Sequence, residues 1–245
     1  MTFLAVTHAA DIEVDEFSGI IGLSPANTQA LGHKELDEFI GRMKFVTGKQ
    51  KIKPIFSFYL TNVDKREGSM QIGGFNLKKY AKPGLTEKDI IWHSLQKNSD
   101  YFWTMSLAKV RFSGGRISIN KDAKGRSIFK NEIPLAGNSL ILDTGMSFGM
   151  APMADLINIV KFLWENYKLK CDSVINGDNV VVSYKCDCKN HTLEDLPTIE
   201  VYLLTNLSIN AGQFFGIAPE DWISIHENKT CNMLLKPSGL LSSKR

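Results

Sequence analysis

The chain has 245 residues, 43% of them hydrophobic and 22% charged, with a formal net charge of +3 and a pI near 8.5. That is enough for one large domain or two of modest size around a true core, and no stretch approaches a transmembrane span. The densest basic stretch, Lys49-Gln50-Lys51-Ile52-Lys53, reads as a solvated loop rather than a nucleic-acid patch, and Thr2 to His8 lacks the basic start and long apolar core of a signal peptide.

In chain order, Ile12, Val14, Phe17, Ile20 and Ile21 predict strand. Leu36, Phe39, Ile40 and Met43 recur at helical spacing and predict an amphipathic helix packed on a sheet. Ile55 to Leu60 alternates as a half-buried strand, and Gly73-Gly74 closes its hairpin partner. Val110, Phe112, Ile117 and Ile119 flank a Ser113-Gly114-Gly115 turn, a hairpin leading toward Leu140. Leu140-Ile141-Leu142 predicts a buried strand that delivers Asp143 to a tight turn, where Gly145 lets the chain reverse. Ala151-Pro152 starts a helix through Met153, Leu156, Ile157, Val160 and Trp164, because proline's missing N–H would be unpaired in a first turn anyway. From there to Leu235 the pattern is short strands with polar turns, and no short-period repeat is present.

A carboxylate at the end of a buried strand is costly unless neighbours hydrogen-bond it or it has chemistry to perform. Alone, Asp143-Thr144-Gly145 reads first as a strand followed by an Asx-type turn, since three residues recur by chance. The four cysteines, Cys171, Cys186, Cys188 and Cys231, allow three pairings, and Cys186-Asp187-Cys188 is too tight to bridge comfortably within itself. A zinc site is the alternative, with His191 the only nearby histidine and an irregular spacing.

Context changes the reading of the tripeptide. Phe17-Ser18-Gly19-Ile20-Ile21-Gly22-Leu23, Phe56-Ser57-Phe58-Tyr59-Leu60, Gly68 to Gly74, Asp143-Thr144-Gly145 and Leu196-Pro197 follow one another in an order and spacing that resemble the pepsin-like aspartic proteases. The resemblance runs along nearly all of the chain. It implies an all-β dominated, bilobal fold with a few short helices, here with an incomplete N-terminal lobe and a C-terminal lobe lacking its last strands. Residues 1–90 would be the remnant of the N-terminal lobe and the interdomain crossing, and 91–245 the C-terminal lobe. Ile90 to Leu95 and Tyr101 to Leu107 resemble that crossing, where the family builds a shared sheet. Trp103 there is expected in a core, and His93 is expected to be structural at a sheet edge.

The family activates a water between two Asp carboxylates, one from each lobe, and needs neither a metal nor another cofactor. The resemblance assigns Asp143 to the second catalytic turn, with Thr144, Gly145 and Ser147 supporting the loop and Ile20 and Met146 at the substrate cleft. Met146 stands where the family usually carries a hydroxyl, and Ser18 where it usually carries Asp. Only one Asp-Thr-Gly occurs, and about twenty residues precede Ile20-Ile21-Gly22, so the first catalytic turn and its flap are expected to lie outside this sequence. The strand that supports Asp143 from behind is likewise expected after Cys231 and is not found. The resemblance also implies a Cys188–Cys231 disulfide, which leaves Cys171–Cys186 to close a hairpin over Asn176-Gly177.

Sequons at Asn190, Asn206 and Asn228 favour glycosylation in an oxidising, secretory route, lysosomal, vacuolar or extracellular. The expected activity is aspartic endopeptidase on a peptide or protein substrate, with no nucleic-acid partner. The full-length enzyme is expected to be a monomer, and this chain to be inactive alone. The competing reading is a non-catalytic pepsin-like protein that binds peptide. Assembly of two identical chains in the retroviral manner fits poorly, because such subunits are a single lobe.

Overall fold

A computed structural model describes residues 21–23, 25, 53, 55–60, 68–96, 102–116, 131–146, 148–206, 211–226 and 229–238. Of the strand expected through Ile12, Val14, Phe17, Ile20 and Ile21, only Ile21 is described; it forms no strand and is 66% exposed. The helix through Leu36 to Met43 and the hairpin residues Ile117 and Ile119 lie outside the described residues. By contacts the chain divides into two units, Met1–Trp92 with Lys97–Trp103, and His93–Gln96 with Thr104–Arg245.

In the first unit, β1 (Phe56–Leu60) pairs antiparallel with β2 (Gly68–Ile72), from Phe56 opposite Ile72 to Leu60 opposite Gly68. The strand and its glycine-bounded partner form as the sequence predicts, but burial does not alternate along β1: Phe56 is half-buried, while Phe58, Tyr59 and Leu60 are all exposed. Gly73 closes the ribbon at φ +88, a left-handed backbone that favours glycine, and its N–H donates to the Ile55 carbonyl. A short helix, α1 (Leu77–Tyr80), follows, capped by the Asn76 side chain, which accepts from the Lys79 N–H at 3.1 Å. Tyr80 stacks on Tyr59 with ring centroids 4.6 Å apart. Trp103 packs edge-on to Phe56 at 5.4 Å, and its indole N–H donates to the Leu23 carbonyl at 2.9 Å. It is thus a satisfied, half-buried packing residue, as expected.

The second unit runs β3 (Trp103–Ser113), β4 (Glu132–Ile133), β5 (Ser139–Leu142), β6 (Gly149–Ala151), α2 (Met153–Tyr167), β7 (Lys170–Ile175), β8 (Val181–Asp187), β9 (Thr198–Asn206), β10 (Ala211–Ile217), α3 (Pro219–Trp222), β11 (Ile223–Ile225), β12 (Thr230–Met233) and β13 (Leu235–Pro237). Strand β3 is the hub of a five-stranded sheet ordered β10-β9-β3-β4, with β5 also pairing β3. A second sheet is ordered β11-β12-β8-β7, and β13 pairs parallel with β6. The expected crossing strand at Ile90 to Leu95 is reduced to one bridge, Leu95 opposite Met105, and Trp92 is largely exposed. His93 accepts or donates at Nδ1 to the Leu204 carbonyl at 3.1 Å and meets the Phe215 ring edge-on, a structural role.

The core lies between α2 and the two sheets. Phe112 stacks on Phe162 at 4.1 Å, and Leu156, Leu163, Leu169, Trp222 and Met233 are almost wholly buried. Each such side chain contributes roughly 1.5–3 kcal/mol. The Trp222 N–H donates to the Pro197 carbonyl at 3.0 Å, which fixes the Leu196-Pro197 segment against the core. The predicted helix forms, but its inward stripe is Leu156, Ile159, Leu163 and Tyr167, while Ile157 and Trp164 are half exposed. Pro152 is the residue before the first turn, and its carbonyl accepts from the Asp155 and Leu156 N–H groups.

Candidate active site

Asp143 follows β5 directly. Its Oδ1 accepts the Gly145 N–H at 2.9 Å, and the Met146 N–H reaches back to the Asp143 carbonyl at 3.4 Å. The carboxylate therefore holds its own turn in the Asx manner, and a Cβ at Gly145 would lie 3.2 Å from that Oδ1. Among the described residues Oδ1 carries the side chain's one hydrogen bond, so Oδ2 is open to solvent or to a ligand. Thr144, Gly145 and Met146 are exposed with it.

The strand behind the turn differs from expectation. Leu140 is half-buried, but Ile141 is 50% exposed and Leu142 58%, so the strand is formed and not buried. The physical reason is its position: among the described residues, β5 pairs only with β3 and has no strand on its other side. Ser147 and Ile20, expected at the loop and the cleft, lie outside the described residues, as does Asn228.

What positions the turn is a set of polar ties that sequence reading did not single out. Asp155, buried in the first turn of α2, accepts the Ala136 N–H through Oδ1. Asn158, one helical turn on, donates to the Pro134 carbonyl at 3.1 Å. The Gln96 amide donates to the Asn138 carbonyl at 3.1 Å, and the Ser139 hydroxyl donates to Gln96 Oε1 at 3.0 Å. Residues 134–139 are thereby anchored before the chain enters β5. An Asp in a first helical turn is a recognisable signal, but its partner 19 residues upstream is not. Downstream, the Gly149 N–H donates to the Leu234 carbonyl at 2.9 Å, tying the exit of the turn to the segment entering β13. A Cβ at Gly149 would lie 2.6 Å from Leu235 Cδ2, so the parallel pair packs closely here.

The model of the family described as eukaryotic aspartyl protease matches residues 1–239. The chain belongs to that family. No curated protein matches it. The strand-dominated, two-unit organisation is that of a pepsin-like aspartyl protease, and the family implies a hydrolase that acts on peptide.

The cysteines of this aspartyl protease chain form two disulfides, Cys171–Cys186 and Cys188–Cys231, the pairs the resemblance implied. No free sulfur is left for the zinc alternative. Asn176 shapes the β7–β8 turn, with Oδ1 accepting the Asp178 and Val180 N–H groups. Asn190 is exposed in the turn after β8, and Asn206 is exposed at the end of β9. No described helix is long and apolar enough to cross a membrane.

Proposed function

We propose that this chain supplies one of the two catalytic carboxylates of an aspartic endopeptidase, and that Asp143 is that carboxylate. The reading rests on one observation above the others: in a chain of the aspartyl protease family, Asp143 is exposed at a strand end, with Oδ1 fixed by the Gly145 N–H and Oδ2 open. Thr144 and Gly145 shape the turn and Met146 lies beside it; Ser147 and Ile20 are assigned to the loop and the cleft by the family resemblance alone. Glycosylation at Asn190, Asn206 and Asn228, and a secretory, lysosomal or extracellular location, are supported by the disulfides and the clustered sequons.

The second carboxylate comes from outside these 245 residues. Two carboxylates that close cannot both ionise, so they share a proton; the aspartic protease dyad is the standard example of this effect. The ionised member takes a proton from a water held between them, and the protonated member polarises the scissile carbonyl. With a single carboxylate there is no paired acid and base, so the chain alone does not cut peptide.

In a form of the protein that carries a second Asp-Thr/Ser-Gly turn, Asp143→Asn lowers kcat on a fluorogenic peptide by about a thousandfold or more while KM changes little. Retention of full activity would remove Asp143 from the mechanism. The 245-residue chain by itself gives no turnover at acid pH. Robust cleavage by it, abolished by Asp143→Asn, would replace this reading with a symmetric dimer.

A further inference from the structure

Three of the cysteines lie in one row across the second sheet. Cys171 on β7 stands opposite Cys186 on β8, and Cys186 stands opposite Cys231 on β12. Cys188 follows the last residue of β8, where its N–H donates to the Lys229 carbonyl at 3.0 Å, two residues before Cys231. Cys186 therefore has two cross-strand cysteine neighbours and is bonded to one of them, Cys171, while Cys231 is bonded to Cys188. Directly opposed residues of antiparallel strands sit about 4.5–5.5 Å apart at Cα, within the span a disulfide bridges. The sheet can thus accept a Cys186–Cys231 bond without a change of register.

Access to the cluster is one-sided. Cys186, Cys188 and Cys231 are buried, at 2%, 0% and 0% exposure. Cys171 is half-buried and lines an open groove of about 410 Å³ shared with Ile157, Val160, Trp164 and Tyr184. Of the four cysteines, Cys171 is therefore the one with a side open to a thiolate arriving from solvent.

We infer that Cys171 is a thiol-exchange site for small-molecule monothiols, from which exchange is relayed through Cys186 to Cys231. In the first step the incoming thiolate attacks Cys171 Sγ. The new bond is a mixed disulfide on Cys171, the Cys171–Cys186 bond breaks, and the electron pair leaves on Cys186 as thiolate. In the second, that thiolate attacks the Cys231 Sγ opposite it, the Cys186–Cys231 bond forms, and Cys188 departs as thiolate. Each step exchanges one disulfide for another, so no oxidant or reductant beyond the monothiol is consumed. The end state carries S-thiolation at Cys171, a free Cys188, and a β8–β12 crosslink where a β7–β8 crosslink stood. Burial of Cys186 protects it from external thiols but leaves it next to the sulfur it must reach.

The test uses the whole chain incubated with reduced glutathione under native conditions, then trapped with N-ethylmaleimide. A peptidase that cuts before aspartate separates Cys186 from Cys188 at Asp187, so mass spectrometry reads every linkage; peptidase activity of the chain plays no part. The expected result is glutathione on Cys171, maleimide on Cys188, and a Cys186–Cys231 linked peptide. Glutathione found mainly on Cys186, Cys188 or Cys231 would overturn the entry site. Maleimide on Cys186 with Cys188–Cys231 intact would overturn the relay, and the absence of any adduct short of unfolding would overturn both. A Cys171→Ser variant begins with Cys186 free, and it equilibrates between Cys188–Cys231 and Cys186–Cys231 isomers. Finding only the former would also rule out the relay.

Discussion

Tyr167 joins the end of α2 to the turn after β3. It is 3% exposed, and its hydroxyl donates to the Gly114 carbonyl at 3.0 Å. Burial pushes its pKa up to about 12, because the phenolate would lose its hydration there. The unfolded chain releases this proton near pH 10. The buried neutral tyrosine therefore contributes fully below about pH 10, and its contribution falls as pH rises from about 10 toward 12. Tyr167→Phe keeps the ring packing and removes both the hydrogen bond and this titration. The expected loss is about 1 kcal/mol at neutral pH, read by urea unfolding, with a flatter stability profile above pH 10. A wild-type profile that is already flat between pH 10 and 12 would contradict the assignment. Gly115 gives a second residue-scale outcome: at φ +70, a Cβ there would lie 2.8 Å from the Asp195 carbonyl oxygen. Gly115→Ala is expected to lower the unfolding midpoint markedly, whereas Gly177→Ala, with open space around it, should not.

Helix α2 works on two sides. Its inner face fills the core, so Leu163→Ala is expected to cost about 2–5 kcal/mol in chemical unfolding, while Trp164→Ala on the outer face stays within about 0.5 kcal/mol. Its first turn holds the approach to Asp143. Asp155→Ala should leave the Ala136 N–H unpaired, at a cost of about 1–3 kcal/mol, with faster amide exchange from 136 to 143; Asp155→Asn, which keeps an acceptor, should recover part of it. Existence of this helix was legible, but its orientation was not. Leu156, Ile157, Ile159, Val160, Phe162, Leu163 and Trp164 are apolar nearly all round, so periodicity alone does not choose the stripe. Strand β1 and the turn at Asp143 were legible because alternation and a glycine reversal are local signals. The exposure of Ile141 and Leu142 was not, since an apolar run predicts a strand but not how many neighbours cover it. Ile90 to Leu95 shows the same limit: its apolar residues suit a strand, yet among the described residues Leu95 alone of them makes a strand bridge. The ties from Gln96, Asp155 and Asn158 escape sequence reading because their partners are set by tertiary contact.

The two crosslinks act over different lengths of chain. Cys171–Cys186 closes a 15-residue separation and Cys188–Cys231 one of 43. Loop-closure entropy gives roughly 3 kcal/mol for the first and roughly 4 kcal/mol for the second. The Cys188→Ser/Cys231→Ser variant is accordingly expected to lose more stability in urea than the Cys171→Ser/Cys186→Ser variant, and the reverse order would show that native packing outweighs the unfolded chain. Which sulfurs pair was carried by the family resemblance and not by spacing, because the tight Cys186-Asp187-Cys188 spacing disfavours one pairing and leaves the other two open.

The parallel pairing of β6 with β13 sets a schedule for biosynthesis. Gly149 emerges from the ribosome long before its partner Leu235. At about 5–20 residues per second, the 86 additions from Gly149 to Leu235 take roughly 4–17 s. During that interval the anchors of the Asp143 turn among the described residues are the upstream ones, the ties at residues 134–139 and the pairing of β5 with β3. The Gly149 N–H thus waits for its acceptor until Leu234 has been added, so the downstream side of the Asp143 turn closes after the upstream side. Chains stalled just short of Leu235 should show the turn open to pulse proteolysis, and chains stalled well beyond it should show the turn closed.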